Sequence, residues 1–102
     1  LAERTERLAA GTVVRNLAFL IRHLPTARSR AQRHLEKAVT AAQRLGANGI
    51  LGQAYLDLGR LHRLRGHTGE ARRYLTLAVE TFDASGATVY LQQARAALHQ
   101  IL

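Results

Sequence analysis

Five histidines, His23, His34, His62, His67 and His99, are the side chains of this 102-residue sequence best able to hold a metal or move a proton near neutral pH. No two of them are four residues apart, the spacing that puts two ligands on one helix face, and no cluster of carboxylates accompanies them. His62 reads as a packing or rim residue, and His67, beside Thr68 in a turn, as a solvated one. Ser29 and Ser85 are the only serines and neither sits in a nucleophile motif. Of the seven acidic residues, Glu3 and Glu6 lie near the N-terminus and the other five are scattered, so paired carboxylates for acid–base work are missing. The sequence has no cysteine, which excludes disulfides, thiolate metal sites and thiol catalysis. "GHTGEA", Gly66 to Ala71, places glycines before a helix start as phosphate-binding loops do. It lacks the Lys-Ser/Thr ending and a preceding strand, and so reads as a hairpin turn. A chain without catalytic residues, metal or cofactor is expected.

The remaining chemistry is charge. The formal net charge is +8, and Lys37 is the one lysine among fifteen basic residues. Arg30, Arg33 and Lys37 recur at three- and four-residue steps, which would form a basic stripe able to hold phosphates. No aromatic residues interleave for base stacking and no recognition-helix pattern is present, which argues against nucleic acid. Arginine with abundant alanine is also what a GC-rich genome writes on any solvated surface. A solvated convex face is therefore the expectation, with polyanion binding as the alternative.

Composition points to one domain over residues 1–102, with 47% hydrophobic and 22% charged residues in the globular range. No apolar run approaches the roughly 18 residues that would span a bilayer. The start, "LAERTERLAAG", lacks a signal-peptide core. These features fit a cytoplasmic location. Because the first residue is Leu1, a fragment of a larger protein is expected.

The elements that must carry these residues follow from an internal repeat. Ala31–Leu51 lies over Ala71–Leu91 at an offset of 40, matching Ala31 with Ala71, Leu35 with Leu75, Ala38-Val39 with Ala78-Val79 and Gly46-Ala47 with Gly86-Ala87. The match continues from Leu51–Leu58 to Leu91–Leu98 and fades upstream. Within a copy, Leu51, Ala54, Tyr55, Leu58, Leu61 and Leu64 recur at helical spacing, as do Ala71, Leu75, Ala78, Val79 and Phe82. Asn48, Thr68 and Thr88 read as N-caps, and Gly66 and Gly86 as helix exits. The expectation is all-α, an antiparallel-hairpin solenoid of about five helices near 1–24, 27–45, 49–65, 69–85 and 88–101. The repeats run from about 11 to 46 and 48 to 86, closed by 88–101. Gly59 and the alanines at 31, 38, 71 and 78 would let helix backbones approach closely.

Tyr55, Leu58, Gly59 and His62, followed by Ala71, Leu75, Ala78 and Asp83, resemble the tetratricopeptide-repeat (TPR) motif W-x2-L-G-x2-Y…A-x3-F…A…P. His62 stands for the motif's Tyr and Asp83 for its Pro. From Ala31 to Leu98 the sequence resembles the C-terminal repeats of bacterial adenylate/guanylate cyclases that also carry an AAA-type ATPase segment. The resemblance implies a right-handed solenoid that mediates protein–protein contacts or self-association in a larger bacterial signalling protein. It places Asn16, Leu20, His23, Gln53, Leu56, Arg60, Arg63, Leu64, Gln93 and Gln100 along a concave groove. Arg60 and Arg63 would give that groove a positive centre suited to carboxylates, although the Lys and Asn of the family's carboxylate clamp are not reproduced. Gln92, Arg95, His99 and Gln100 would make the last helix a polar cap. At the other end, Val13, Val14, Leu17 and Ile21 would be partly bare, meeting upstream repeats or a second copy.

Overall fold

The computed structural model describes residues 25–102, and these residues form four helices with no strand. They are α1 (Pro25–Leu45), α2 (Asn48–Leu64), α3 (Thr68–Ser85) and α4 (Thr88–His99). The helix expected at 1–24 lies outside the described residues. Expected and observed boundaries otherwise agree within about two residues, the usual spread of helix ends. Among the described residues no helix is long and apolar enough to cross a membrane.

One device closes three of the helices, at twenty-residue intervals. Gly46, Gly66 and Gly86 have φ of 65°, 78° and 71°, the left-handed region where a side chain is strained. After each glycine the next amide reaches back to a carbonyl five residues earlier: Ala47 N–H to Ala42, His67 N–H to His62 and Ala87 N–H to Phe82, at 2.8–3.1 Å. The glycine amides themselves bond to Gln43, Arg63 and Asp83, which completes a Schellman closure at each site. Gly86→Ala is expected to cost about 1–2 kcal/mol, because alanine resists the left-handed conformation. The thermal midpoint should then fall by several degrees. Gly69→Ala is the control: Gly69 is helical, with open space around its α-carbon, so alanine there should leave the midpoint unchanged or raise it.

These closures also correct the expected caps. The residue after each glycine is itself the next N-cap: Ala47, His67 and Ala87 accept from Leu51, Ala71 and Leu91 at 2.8–2.9 Å. Asn48, Thr68 and Thr88 are instead the first helical residues, and no cap makes a side-chain hydrogen bond. Links of two or three residues leave no room for a separate capping residue, so the backbone fills both roles.

With such short links, each helix packs on the one before it. α2 lies between α1 and α3 and touches α4 slightly, α4 packs on α3, and α1 reaches neither α3 nor α4. The centre is a cluster containing Tyr55 and Leu56 from α2, Leu75, Ala78 and Phe82 from α3, and Leu91, Ala94 and Ala97 from α4. Two glycines set the closeness of α2 and α3. A Cβ on Gly59 would lie 2.6 Å from Leu75, and one on Gly52 would lie 2.5 Å from the Phe82 ring. Close approach at Gly59 agrees with the sequence expectation, whereas Gly52 had given no sign of it.

Candidate functional site

α2 and α4 together build a hollow lined by Arg60, Arg63, Leu75, Gln93, Ala96, Ala97 and Gln100. Four of the predicted groove residues, Arg60, Arg63, Gln93 and Gln100, thus meet in one place. The 40-residue offset relates Gln53 to Gln93 and Arg60 to Gln100, and the Arg63 side chain reaches Gln100. At about 220 Å³ the hollow is smaller than the roughly 300–1,000 Å³ of small-molecule pockets. It suits a side chain or a chain terminus better than a cofactor.

Its electrostatics differ between the two arginines. Arg60 lies 3.9 Å from Asp57, a loose and exposed pair one helical turn away. Arg63 donates to the side-chain oxygen of Gln100, a neutral acceptor, and has no ion pair among the described residues. Among the described residues, nothing therefore offsets the Arg63 charge at the mouth of the hollow. Asp57 was missed by sequence reasoning. Burial pushes its carboxyl above the ordinary carboxylate value, while Arg60 and a hydrogen bond from Gln53 at 3.5 Å hold it back. The signal for it was present, since Gln53, Asp57 and Arg60 stand at i, i+4 and i+7 on one helix face.

The other predicted groove residues lie elsewhere. Leu56 is fully buried in the core cluster, which corrects its assignment to the groove. The reason is that α2 has neighbours on three sides, so its buried arc extends past the Tyr55–Leu58 stripe and takes in Leu56. Gln53 lines a second, broader hollow with Leu35, Ala38, Ile50, Ala54 and Tyr90. Leu64 is 43% exposed at the end of α2. Asn16, Leu20 and His23 lie outside the described residues, as does the N-terminal face of Val13, Val14, Leu17 and Ile21. The repeat-motif residues Tyr55, Leu58, Gly59, Ala71, Leu75 and Ala78 are all buried, which fits a packing role. Gln92, Arg95, His99 and Gln100 are exposed on α4, as a polar cap requires.

His62 packs as the sequence suggested, and His67 does not stand alone in solvent. The His62 ring is 5% exposed and stacks on Tyr74, with centroids 5.4 Å apart and planes 9° from parallel. Its Nδ1 lies 3.3 Å from His67 Nδ1, so one imidazole donates and the other accepts. Burial pushes His62 below its ordinary value of 6.5, and His67 and Arg65 push the same way. Glu70 and Glu36 oppose them. A histidine with a depressed folded pKa supports the fold when neutral. Its contribution is present above the unfolded value of 6.5 and is lost as pH falls through 6.5 towards the depressed folded value. Urea unfolding should therefore show stability falling from about pH 8 to about pH 5. His62→Gln should flatten that slope, and an equally steep slope in the variant would remove His62 as its cause.

Among the described residues there is no group of three or more histidine, aspartate or glutamate side chains placed to hold a metal ion. Comparison with known protein families, with curated proteins and with solved structures finds no match to this chain.

Proposed function

We propose that this chain is a non-catalytic module for protein–protein contact or self-association, with its helices stacked as a TPR-like solenoid. A larger cytoplasmic bacterial signalling protein is its proposed setting, with a parent resembling the nucleotide cyclases named above. The nearest-neighbour packing of four helices joined by links of two or three residues supports the solenoid reading. The observation that carries the interaction reading is the convergence of Arg60, Arg63, Gln93 and Gln100, from two helices, on one hollow. An unpaired guanidinium flanked by amide side chains suits a carboxylate on a protein partner, held through the bidentate arginine fork.

Fluorescence anisotropy with a labelled acidic peptide bearing a free C-terminus tests this reading. Replacing Arg60 and Arg63 together by glutamine should weaken binding about tenfold or more, the equivalent of roughly 1.4 kcal/mol. Unchanged affinity in the double variant would sink the groove reading. Sedimentation of the unmodified chain over a concentration series reads the self-association version directly, and a strict monomer at high concentration rules it out.

The polyanion alternative has its own observation. Arg33, Lys37 and Arg44 surround a shallow depression on the exposed side of α1, although Glu36 lies among them. Titration with duplex and single-stranded nucleic acid at low salt separates the two readings. Affinity falling steeply with salt favours the polyanion reading, and no binding at low salt dismisses it.

A further inference from the structure

The three Schellman closures differ in the side chains they bring together. In each, the residue that donates the long backbone bond lies next to the residue that accepts it, a place usually filled by an apolar contact. The pairs are Ala42 with Ala47 and Phe82 with Ala87 at two closures, and His62 with His67 at the third. The 2.8 Å bond from the His67 N–H to the His62 carbonyl fixes the two backbones, and the imidazoles meet Nδ1 to Nδ1 at 3.3 Å. Closing the turn does not need imidazoles, since two alanines serve at Gly46.

Two coordinating nitrogens at that separation match the ligand spacing of a transition-metal ion. Metal–imidazole bonds of about 2.0–2.1 Å that meet at the tetrahedral angle put their nitrogens about 3.3–3.4 Å apart. The His62 ring is held in place by its stacking on Tyr74, whose ring lies 4.6 Å from the Arg73 guanidinium. His67 is exposed, so the pair is open to solvent on that side and the His67 ring can turn towards an arriving ion. Glu70 on α3 and Glu36 on α1 act on His62 as negative charges, against Arg65. Glu36 accepts from Gln32 at 2.9 Å and Glu70 pairs with Arg73 at 3.2 Å, so neither carboxylate is placed as a third ligand.

We propose that His62 and His67 form a two-histidine site for a divalent transition-metal ion such as zinc, with water in the remaining positions, clipping the end of α2 to the start of α3. Imidazole nitrogen suits zinc, copper and nickel, and the sequence has no cysteine to compete for them. In the hydrogen-bonded pair one neutral ring carries its proton on Nδ1. With an ion bound both rings carry it on Nε2, so no net proton is lost. The spacing of five hid the pair in the sequence, because the left-handed Gly66 breaks the helix and brings position 67 back to position 62. The site shares no residue with the Arg60–Arg63 hollow, and the proposal holds whether or not that hollow has a ligand.

Zinc added to the full chain in a non-chelating buffer tests this by calorimetric titration and thermal unfolding. One ion should bind per chain, and saturating zinc should raise the thermal midpoint by several degrees, since an ion that binds the folded form stabilises it. His67→Gln, at an exposed turn position, should still fold and should bind zinc about tenfold or more weakly. His34→Gln with His99→Gln should leave binding unchanged. Imidazole nitrogen NMR on the unmodified chain gives a reading free of substitutions, and the His62 and His67 signals should shift together as zinc is added. No midpoint rise in a large excess of zinc, full binding in the His67 variant, loss of binding in the His34 and His99 variant, or shifts confined to other histidines would each overturn the proposal. The histidine pair would then be a packing contact alone.

Discussion

Phe82→Ala should be the most damaging single substitution in the described part of this protein, costing about 3–5 kcal/mol. Phe82 is fully buried, against the backbone of Gly52 on one helix and the ring of Tyr90 on another, 5.5 Å between centroids. Removing the ring leaves a void that rigid neighbours cannot collapse into, because Gly52 contributes no side chain to fill it. A domain of this size is stable by about 5–15 kcal/mol in all, so the loss would be a large share of the total. Urea denaturation should show the midpoint falling steeply with the slope retained. A loss under about 1 kcal/mol would mean that the ring does not hold α2, α3 and α4 together.

The second large effect is expected from the other side of the same contact. Gly52→Val would place its Cβ 2.5–2.8 Å from three carbons of the Phe82 ring, closer than real contacts allow. The ring is enclosed and cannot swing away, so the helices must part, at a cost of about 1–3 kcal/mol or more. Helix propensity favours valine over glycine by a few tenths of a kcal/mol, too little to offset this. The double variant Gly52→Val with Phe82→Leu should cost less than the sum of the two single changes, because the smaller side chain makes room. A coupling of about 0.5–3 kcal/mol is the range for residues in direct contact, and strict additivity would show that they do not touch.

Much of this architecture was legible in the sequence because it depends on local rules repeated at a fixed period. Apolar spacing of three and four residues marked the helix faces, and Gly66 and Gly86 marked the exits, with Gly46 matching Gly86 in the repeat, since left-handed backbone is a property of the residue type. The pairing of Arg60 and Arg63 with Gln93 and Gln100 was also foreseeable, as helices related by one period present matching faces.

What sequence reasoning got wrong involved contacts between helices. Leu56 carries nothing in its type to distinguish a groove residue from a core residue. It is buried because α2 has neighbours on three sides and Leu56 joins the cluster that α2, α3 and α4 share. The N-caps were displaced by one residue because the Schellman closures leave links of only two or three residues, and the last link residue takes the cap position. His67 is exposed in its turn, as expected, but its contact with His62 was not foreseen, because the turn brings the two rings together.

By itself, then, the sequence determined the all-helical character, the period and the hairpin exits, all of which are set by interactions within about five residues. Tertiary structure alone decided how close α2 and α3 come, through Gly52 beneath Phe82 and Gly59 beneath Leu75. It also decided that, among the described residues, Arg63 has no ion pair while Asp57 stands beside Arg60. Those outcomes depend on what the neighbouring helix places opposite each side chain, and a one-dimensional pattern holds no distances across that gap.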